Sequence, residues 1–418
     1  MTSVTLRPFP YPFRAALTIC SDIDNTADTV EFLAIQQFLN TTSQTEMGRG
    51  VGLEIGNSFY FYDKNLEFSY FTGDARAPHV IIDLIRAGYL DVLHSYGDAA
   101  NSPQQIARAL DELDKHGCRL QVWVNHHGSR NNIGGKFDYM LTPSEGDILD
   151  SETYHMDRTA QLGIRYAWVG ATTRRVGQDA RLGRGVSNMW DKSHKYSSAL
   201  TLAKEGRKWA LGRLGDQRFQ LHADNRLTRP LRLRNGYFVH EFLRYGHHPA
   251  GVSHAATSAG LAYMISAEKL TQLIDREGYM IVYSHLGKND GFDDAIAPET
   301  QAALRHLADM QTDGKIYVTT TAKLLNYHTT RNYLDYTAHF DEETRTTRID
   351  IHGIDDPLFG AQPLTSKNLQ GITFYVPDSD RAEIWINNRR HSHVHRNRSD
   401  STGRESVSIP LQRLSYPF

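Results

Sequence analysis

Cysteine is almost absent, with Cys20 and Cys118 the only two in 418 residues. A disulfide framework is therefore excluded, a reducing compartment fits, and both thiols read as small buried apolar groups. Charge of one sign is equally lacking: 46 Lys+Arg against 48 Asp+Glu leave a net charge of -2. Nothing global draws such a chain to nucleic acid or to an anionic membrane. No apolar run approaches the roughly 18 residues at which a helix begins to span a bilayer. Pro8, Pro10 and Pro12 interrupt the N-terminal stretch where a signal peptide needs an unbroken apolar segment. Internal repeats, heptads and long low-complexity tracts are missing too. These absences lead to the expectation of a soluble cytoplasmic protein without membrane insertion or nucleic-acid binding.

What is present is enough apolar residue, 40%, for two or three domains at about 100 to 200 residues each. Short runs rich in Val, Ile, Tyr and Trp alternate with segments of helical period up to about residue 335, the pattern of an α/β domain. The runs are AALTIC (15 to 20), SFYFY (58 to 62), LDVL (90 to 93), RLQVWV (119 to 124), IRYAWV (164 to 169), YMIVYS (279 to 284) and KIYVTT (315 to 320), with GYFVHEF (236 to 242) a candidate eighth. Helical spacing separates them, as in Ile106, Leu110 and Leu113, where Asn101-Ser102-Pro103 supplies a start and Gly117 a stop. The alternation predicts a parallel sheet or barrel, with an open doubly wound sheet as the alternative.

An insertion around 171 to 235 breaks this regularity with arginines among Gly and Ser, including Arg174, Arg181, Arg184, Arg207, Arg218 and Arg229. Solvated or acid-paired loop arginines are one reading, and a rim gripping an anionic or sugar substrate is the other. After Tyr336 the composition shifts. TRIDIHGI, QGITFYVP, AEIWINN and ESVSIPL alternate in polarity between turn signals, which predicts a small β-sandwich-like domain over 337 to 418 following a domain over 1 to 336.

Acidic and His residues cluster directly after several predicted strands: Ser21-Asp22-Ile23-Asp24-Asn25, His94-Ser95-Tyr96-Gly97-Asp98, Asn125-His126-His127-Gly128, and His285-Leu286-Gly287. In a parallel sheet or barrel the C-terminal strand ends share one face, where sites are built. Asp22 and Asp24, two residues apart, point the same way on an extended backbone, and two such carboxylates call for a cation. His94 and Asp98, at i and i+4, share a face if the chain turns helically. Asp24, His94 and Asp98 then form a three-ligand site open to water and substrate. Asp22 is placed to take a proton from the water and His285 to protonate a leaving group.

These segments resemble those of the NodB-type polysaccharide deacetylases, carbohydrate esterase family 4, over roughly residues 14 to 330. Leu17-Thr18-Ile19-Cys20-Ser21-Asp22-Ile23-Asp24 is similar to the family's F-D-x-D motif, His94-Ser95-Tyr96-Gly97-Asp98 to its H-S/T-x-x-H motif, and Ile281-Val282-Tyr283-Ser284-His285 to its last strand ending in His. The resemblance implies an irregular (β/α)7-type barrel and a divalent metal, zinc first, with Asp22 as base, Asp24 as ligand and His285 as acid. Asp98 stands where the family has a second His, so manganese, cobalt and magnesium are also compatible. The Arg-Pro-x-Gly motif that braces the base is absent after the fourth run. Asn125, His126, His127 and Arg130 occupy that region as substrate-binding or supporting residues, with His126 or His127 the alternative ligand.

Metal-dependent removal of an acetyl group from an N-acetylated sugar or saccharide follows by analogy, with a place in polysaccharide synthesis. Two alternatives stand beside it: a catalytically silent saccharide-binding or assembly protein, and a hydrolase of another small C–N substrate. His391, His393 and His395 share a strand face among arginines and read as a solvated edge. Trp123 and Trp168 lie inside apolar runs as core, and Trp190 is a candidate sugar platform.

Overall fold

The computed structural model describes residues 4–134, 144–180, 195–288 and 291–418. Trp190, Arg181 and Arg184 lie outside them. The protein is a mixed α/β structure of two compact units. One holds Leu17–Asp309, Val318–Ala322 and Leu414–Phe418; the other holds Met1–Ala16, Met310–Tyr317 and Lys323–Arg413.

The larger unit is organised by a curled sheet whose strands are β1 (Ala15–Ser21), β2 (Asn57–Phe59), β3 (Leu90–His94), β4 (Val122–Val124), β5 (Tyr166–Trp168), β6 (Thr172–Thr173), β7 (Thr228–Arg232), β8 (Phe238–Phe242), β9 (Arg244–Tyr245), β10 (Tyr279–Ser284) and β11 (Ile316–Val318). Their order is β7-β8-β5-β4-β3-β2-β1-β10-β9-β6, with β11 beside β1. Pairing is parallel from β1 through β2, β3, β4 and β5 to β8, and again from β9 to both β10 and β6, while β7 is antiparallel to β8. Every residue of β1, β2, β3 and β4 is buried. Strands covered on both faces need continuous apolar runs rather than alternation, which is why AALTIC and LDVL were readable.

Helices bridge the parallel strands. Pro103–Lys115 starts with a capping box: Ser102 N–H donates to Gln105 Oε1 (2.8 Å), and Gln105 N–H donates to Ser102 Oγ (3.3 Å). Its buried stripe is Ile106, Ala109, Leu110 and Leu113, and Gly117 leaves the helix at φ +64°. Asp28 caps Thr29–Asn40 by accepting from Val30 and Glu31 N–H.

Several strands are shorter than their apolar runs, among them those of SFYFY and RLQVWV. SFYFY leaves the ladder at Phe59, because Phe61 and Tyr62 N–H both turn to Tyr96 C=O at 3.1 Å. In RLQVWV only Val122–Val124 pairs.

In the smaller unit, residues 337 to 413 carry strands and turns without helix. Four strands form one sheet, Thr5–Leu6, Thr373–Tyr375, Ser406–Ser408 and His395–Asn397; the other is built on the hairpin Leu334–Asp341 and Thr346–Asp356 with Ala382–Ile386 parallel to its second strand. The division at 336 therefore needs correction at the N-terminus. Thr5 pairs with Tyr375 and Leu6 with Phe374, and buried Arg7 donates to the carbonyls of Phe9 and Pro10 and to Asp400 (3.0 Å). The first 16 residues thus belong with the β-rich unit.

Candidate metal centre

The ends of β1, β3, β4 and β10 bring Asp22, Asp24, His94, His126 and His285 together. Asp24 is the hub. Its Oδ1 lies 2.8 Å from His126 Nε2, and its Oδ2 lies 3.3 Å from both His94 Nε2 and His285 Nε2. Tyr60 donates its hydroxyl to Asp24 Oδ1. Asp22 Oδ2 is 3.9 Å from His94 Nε2. Two groups, Asp24-His94-His126 and Asp22-Asp24-His285, have ligand atoms within 4.8 Å of one another and could hold a metal ion.

The local chain explains this convergence. Asp22 N–H donates to Ser284 C=O (2.8 Å) and Leu286 N–H to Ser21 Oγ (3.1 Å), tying the end of β1 to that of β10. Ile23 N–H donates to Ser58 Oγ (3.0 Å), fixing the turn between the two aspartates. Gly287 fits because a Cβ there would lie 2.3 Å from Thr26 Oγ1.

The hydrogen bonds behind the rings decide which nitrogens face inward. His94 Nδ1–H donates to Val124 C=O (3.3 Å), and His285 Nδ1–H to Ala256 C=O (2.9 Å). In neutral rings each Nε2 then aims a lone pair at Asp24 Oδ2, which has no hydrogen-bond partner among the described residues. Lone pair against lone pair is stable only with a proton or a cation between them. A carbonyl behind a ligating ring is also the usual support of a metal-bound histidine. Two imidazoles and one carboxylate make a donor set suited to zinc and to other first-row divalent ions.

The two carboxylates are held ionised by different means. Burial works against the charge of Asp24, but the three imidazoles around it, His126 first and then His285 and His94, outweigh burial and hold the carboxyl well below its usual range. Burial likewise opposes ionisation of Asp22, and the Arg244 guanidinium overcomes it. That pair is bidentate, Nη1 to Oδ1 at 2.8 Å and Nη2 to Oδ2 at 3.0 Å, with side-chain exposures of 0% and 3%. The guanidinium carbon lies 3.6 Å from the Trp168 ring centroid and 4.1 Å from that of Tyr283, so two aromatic faces take the charge the solvent does not reach. Cys20 Sγ, 3.7 Å from Arg244 Nη1, is buried, and burial pushes its thiol up to about 11.

Of the residues singled out from sequence, Asp22, Asp24, His94 and His285 meet here and Asp98 does not. The helical turn assumed for His94 to Asp98 is absent: Ser95 adopts φ +54°, and Gly97 forms a bridge with Tyr62. A Cβ on Gly97 would lie 2.4 Å from Tyr62 O, so this close approach requires glycine. Asp98 turns to Lys64, accepting from its N–H (3.2 Å) and facing its Nζ (3.0 Å). His126 stands in the place assigned to Asp98. Asn132 holds it by accepting from His126 N–H (2.9 Å) and donating to its C=O (2.6 Å).

The remaining expectations separate. Asn125 is buried and accepts from Trp123 Nε1–H and Ile133 N–H, so it shapes the loop. His127 is exposed, and Arg130 pairs with Glu145 at 2.6 Å.

Arg244 and Tyr60 are the residues that sequence reasoning missed. An arginine inside the apolar run FVHEFLRYG was the available signal for the first; nothing marked Tyr60 among its aromatic neighbours. Comparison with protein-family models, curated proteins and solved structures finds no match.

Proposed function

We propose that this protein is a metal-dependent amide hydrolase that removes an acetyl group from an N-acetylated sugar or saccharide, on a seven-stranded barrel of the polysaccharide deacetylase kind. The barrel reading is supported by pairing that returns on itself. β8 pairs with β5, and two residues later the same chain, as β9, pairs with β10, the neighbour of β1. The circuit is then β1, β2, β3, β4, β5, β8 with β9, and β10.

One observation carries the functional reading: three histidines from three strand ends converge on the Asp24 carboxylate, beside an Asp22 kept ionised by a buried arginine. Asp24, His94 and His126 would hold the ion, which when bound acidifies a water and polarises a carbonyl oxygen. Asp22, anchored by Arg244, accepts the proton of the water whose oxygen adds to the amide carbon. His285 delivers a proton to the nitrogen as the C–N bond breaks, leaving acetate and a free amine. Burial lowers the proton affinity of His285, but Asp24 and then Asp22 raise it above the ordinary value, which favours the protonated ring that a general acid needs. Tyr60, stacked on His94 and edge-on to His126, fixes the Asp24 carboxylate.

Acetate release from N-acetylated oligosaccharides, measured with zinc, manganese or cobalt added, tests this. Asp22→Asn and His285→Ala should each lower turnover about 100 to 10,000-fold while metal content, measured by mass spectrometry, stays as in the wild type. Unchanged rates in both variants would remove the mechanism. No release with any of the metals would favour the silent saccharide-binding alternative.

A further inference from the structure

A cavity of about 400 Å³ is lined by Thr172, Arg174, Lys204, Glu205, Arg207, Lys208, Leu211, Arg218, Phe219 and Gly246. Five of these ten side chains are cations and one is an acid. Glu205 is spoken for: it is buried, takes Lys208 Nζ at 2.9 Å and accepts from Thr173 Oγ1–H at 3.4 Å. Arg218 is paired with Asp216 at 2.7 Å. Lys204 and Arg207 are exposed on Lys195–Arg213, and no acid among the described residues pairs with either.

The cavity's place in the fold links it to the chemistry. Thr172 begins β6, and Gly246 directly follows β9, the strand that supplies Arg244. A Cβ on Gly246 would stand 3.7 Å from the Tyr283 ring, and that ring contacts both Arg244 (4.1 Å to the guanidinium carbon) and His285 (5.1 Å between centroids). The Tyr283 ring thus connects the cavity residue Gly246 to the proposed reaction centre. Like charges gathered around one concavity repel until an anion enters, and planar guanidinium groups match the oxygens of a carboxylate or phosphate. Leu211 and Phe219 add apolar wall for a carbon skeleton.

We propose that this cavity binds an oxyanion, a carboxylate or phosphate, carried by the saccharide substrate; the assignment of that oxyanion to the substrate rests on the hydrolase reading above. Isothermal titration calorimetry of the full-length protein, at fixed ionic strength, with glucuronate, glucose 6-phosphate and neutral glucose tests the site without requiring turnover. Saturable binding of either anion but not of glucose is expected, and the preferred anion identifies the source as a uronate or a sugar phosphate. Lys204→Glu with Arg207→Glu should weaken that binding at least about tenfold, with unchanged metal content and circular dichroism. Asp24→Asn should retain it, which separates the cavity from the metal as the anion's partner. No saturable binding of either anion, equal affinity in the charge-reversed protein, or loss of binding in Asp24→Asn would overturn the proposal. Anion binding that persists in a protein releasing no acetate would leave the site standing and remove the hydrolase reading alone.

Discussion

At the scale of single residues, the Asp22–Arg244 pair explains how a carboxylate that must act as a base survives burial. An isolated ionised carboxylate in such a place would take up a proton, and the bidentate guanidinium prevents it. Arg244→Leu leaves Asp22 without its counter-charge. Its expected cost is about 3 to 5 kcal/mol of stability, read by urea denaturation, together with a base-dependent limb of the pH–rate profile shifted upward. A variant as stable as the wild type, with an unmoved profile, would show that the pair does neither. For the metal, His126→Ala should empty the centre and Asp98→Ala should leave it filled, checked by metal analysis after purification without added metal.

The exchange of Asp98 for His126 shows what sequence spacing can and cannot carry. Asp22, Asp24, His94 and His285 were legible because each follows an apolar run, and strand ends in a parallel sheet meet. Choosing Asp98 required a helical turn after His94. That depended on Ser95 taking ordinary backbone angles, whereas its φ is +54° and the chain two residues on bridges to Tyr62, a contact no local spacing announces. Arg244 was hidden for a related reason: a charge inside an apolar run reads as an interruption until its distant partner is known.

At the scale of elements, long apolar runs located the strands, as with YMIVYS and Tyr279–Ser284, and capping chemistry located the helix after Ser102. Pairing partners were less legible, because register depends on segments far apart in the chain. One strand carries a residue its environment opposes. Asp91, in β3, is buried, accepts Ala322 N–H at 2.6 Å near the start of Thr321–Tyr333, and has no partner for Oδ1 among the described residues. Burial pushes its carboxyl up to about 7, even though the helix-start donors lower it.

The consequence for stability has a definite sign. The unfolded carboxyl, near 3.8, loses its proton at low pH, whereas the folded one keeps it to about 7. The protonated group's stabilisation is complete below about pH 4 and is lost as pH rises toward 7, by up to about 4 kcal/mol. Asp91→Asn should therefore stabilise the protein at pH 8 and change it little at pH 4. Denaturant titrations of both proteins at the two pH values check this, and an equal effect at both would exclude the titration of Asp91 as its cause.

At the scale of the whole molecule, chain order and spatial order part company at both termini. The N-terminal strand Thr5–Leu6 is assigned to the β-rich unit through pairing with Phe374 and Tyr375. The last five residues return to the larger unit. There Leu414 N–H donates to Glu54 Oε1 (2.6 Å), Leu414 C=O accepts from Tyr89 O–H (3.3 Å), and the Tyr416 ring meets Tyr89 edge-on at 5.4 Å. No local pattern announces such returns, since the apolar content of LSYPF is that of an ordinary tail. A chain cut near residue 335 therefore deletes more than a terminal β domain: it strips this contact from Tyr89, which is 2% exposed, and removes the strands that pair with Thr5–Leu6. It should fold less stably than the intact protein and bind more of a dye that reports exposed apolar surface. Tyr416→Ala isolates the tail's share. Losing one half-buried aromatic side chain predicts a cost of about 1 to 3 kcal/mol, with the metal centre unaffected because Tyr89 lies at the opposite end of β3 from His94. A denaturation midpoint for Tyr416→Ala equal to that of the wild type would show that the returning tail contributes nothing to the larger unit.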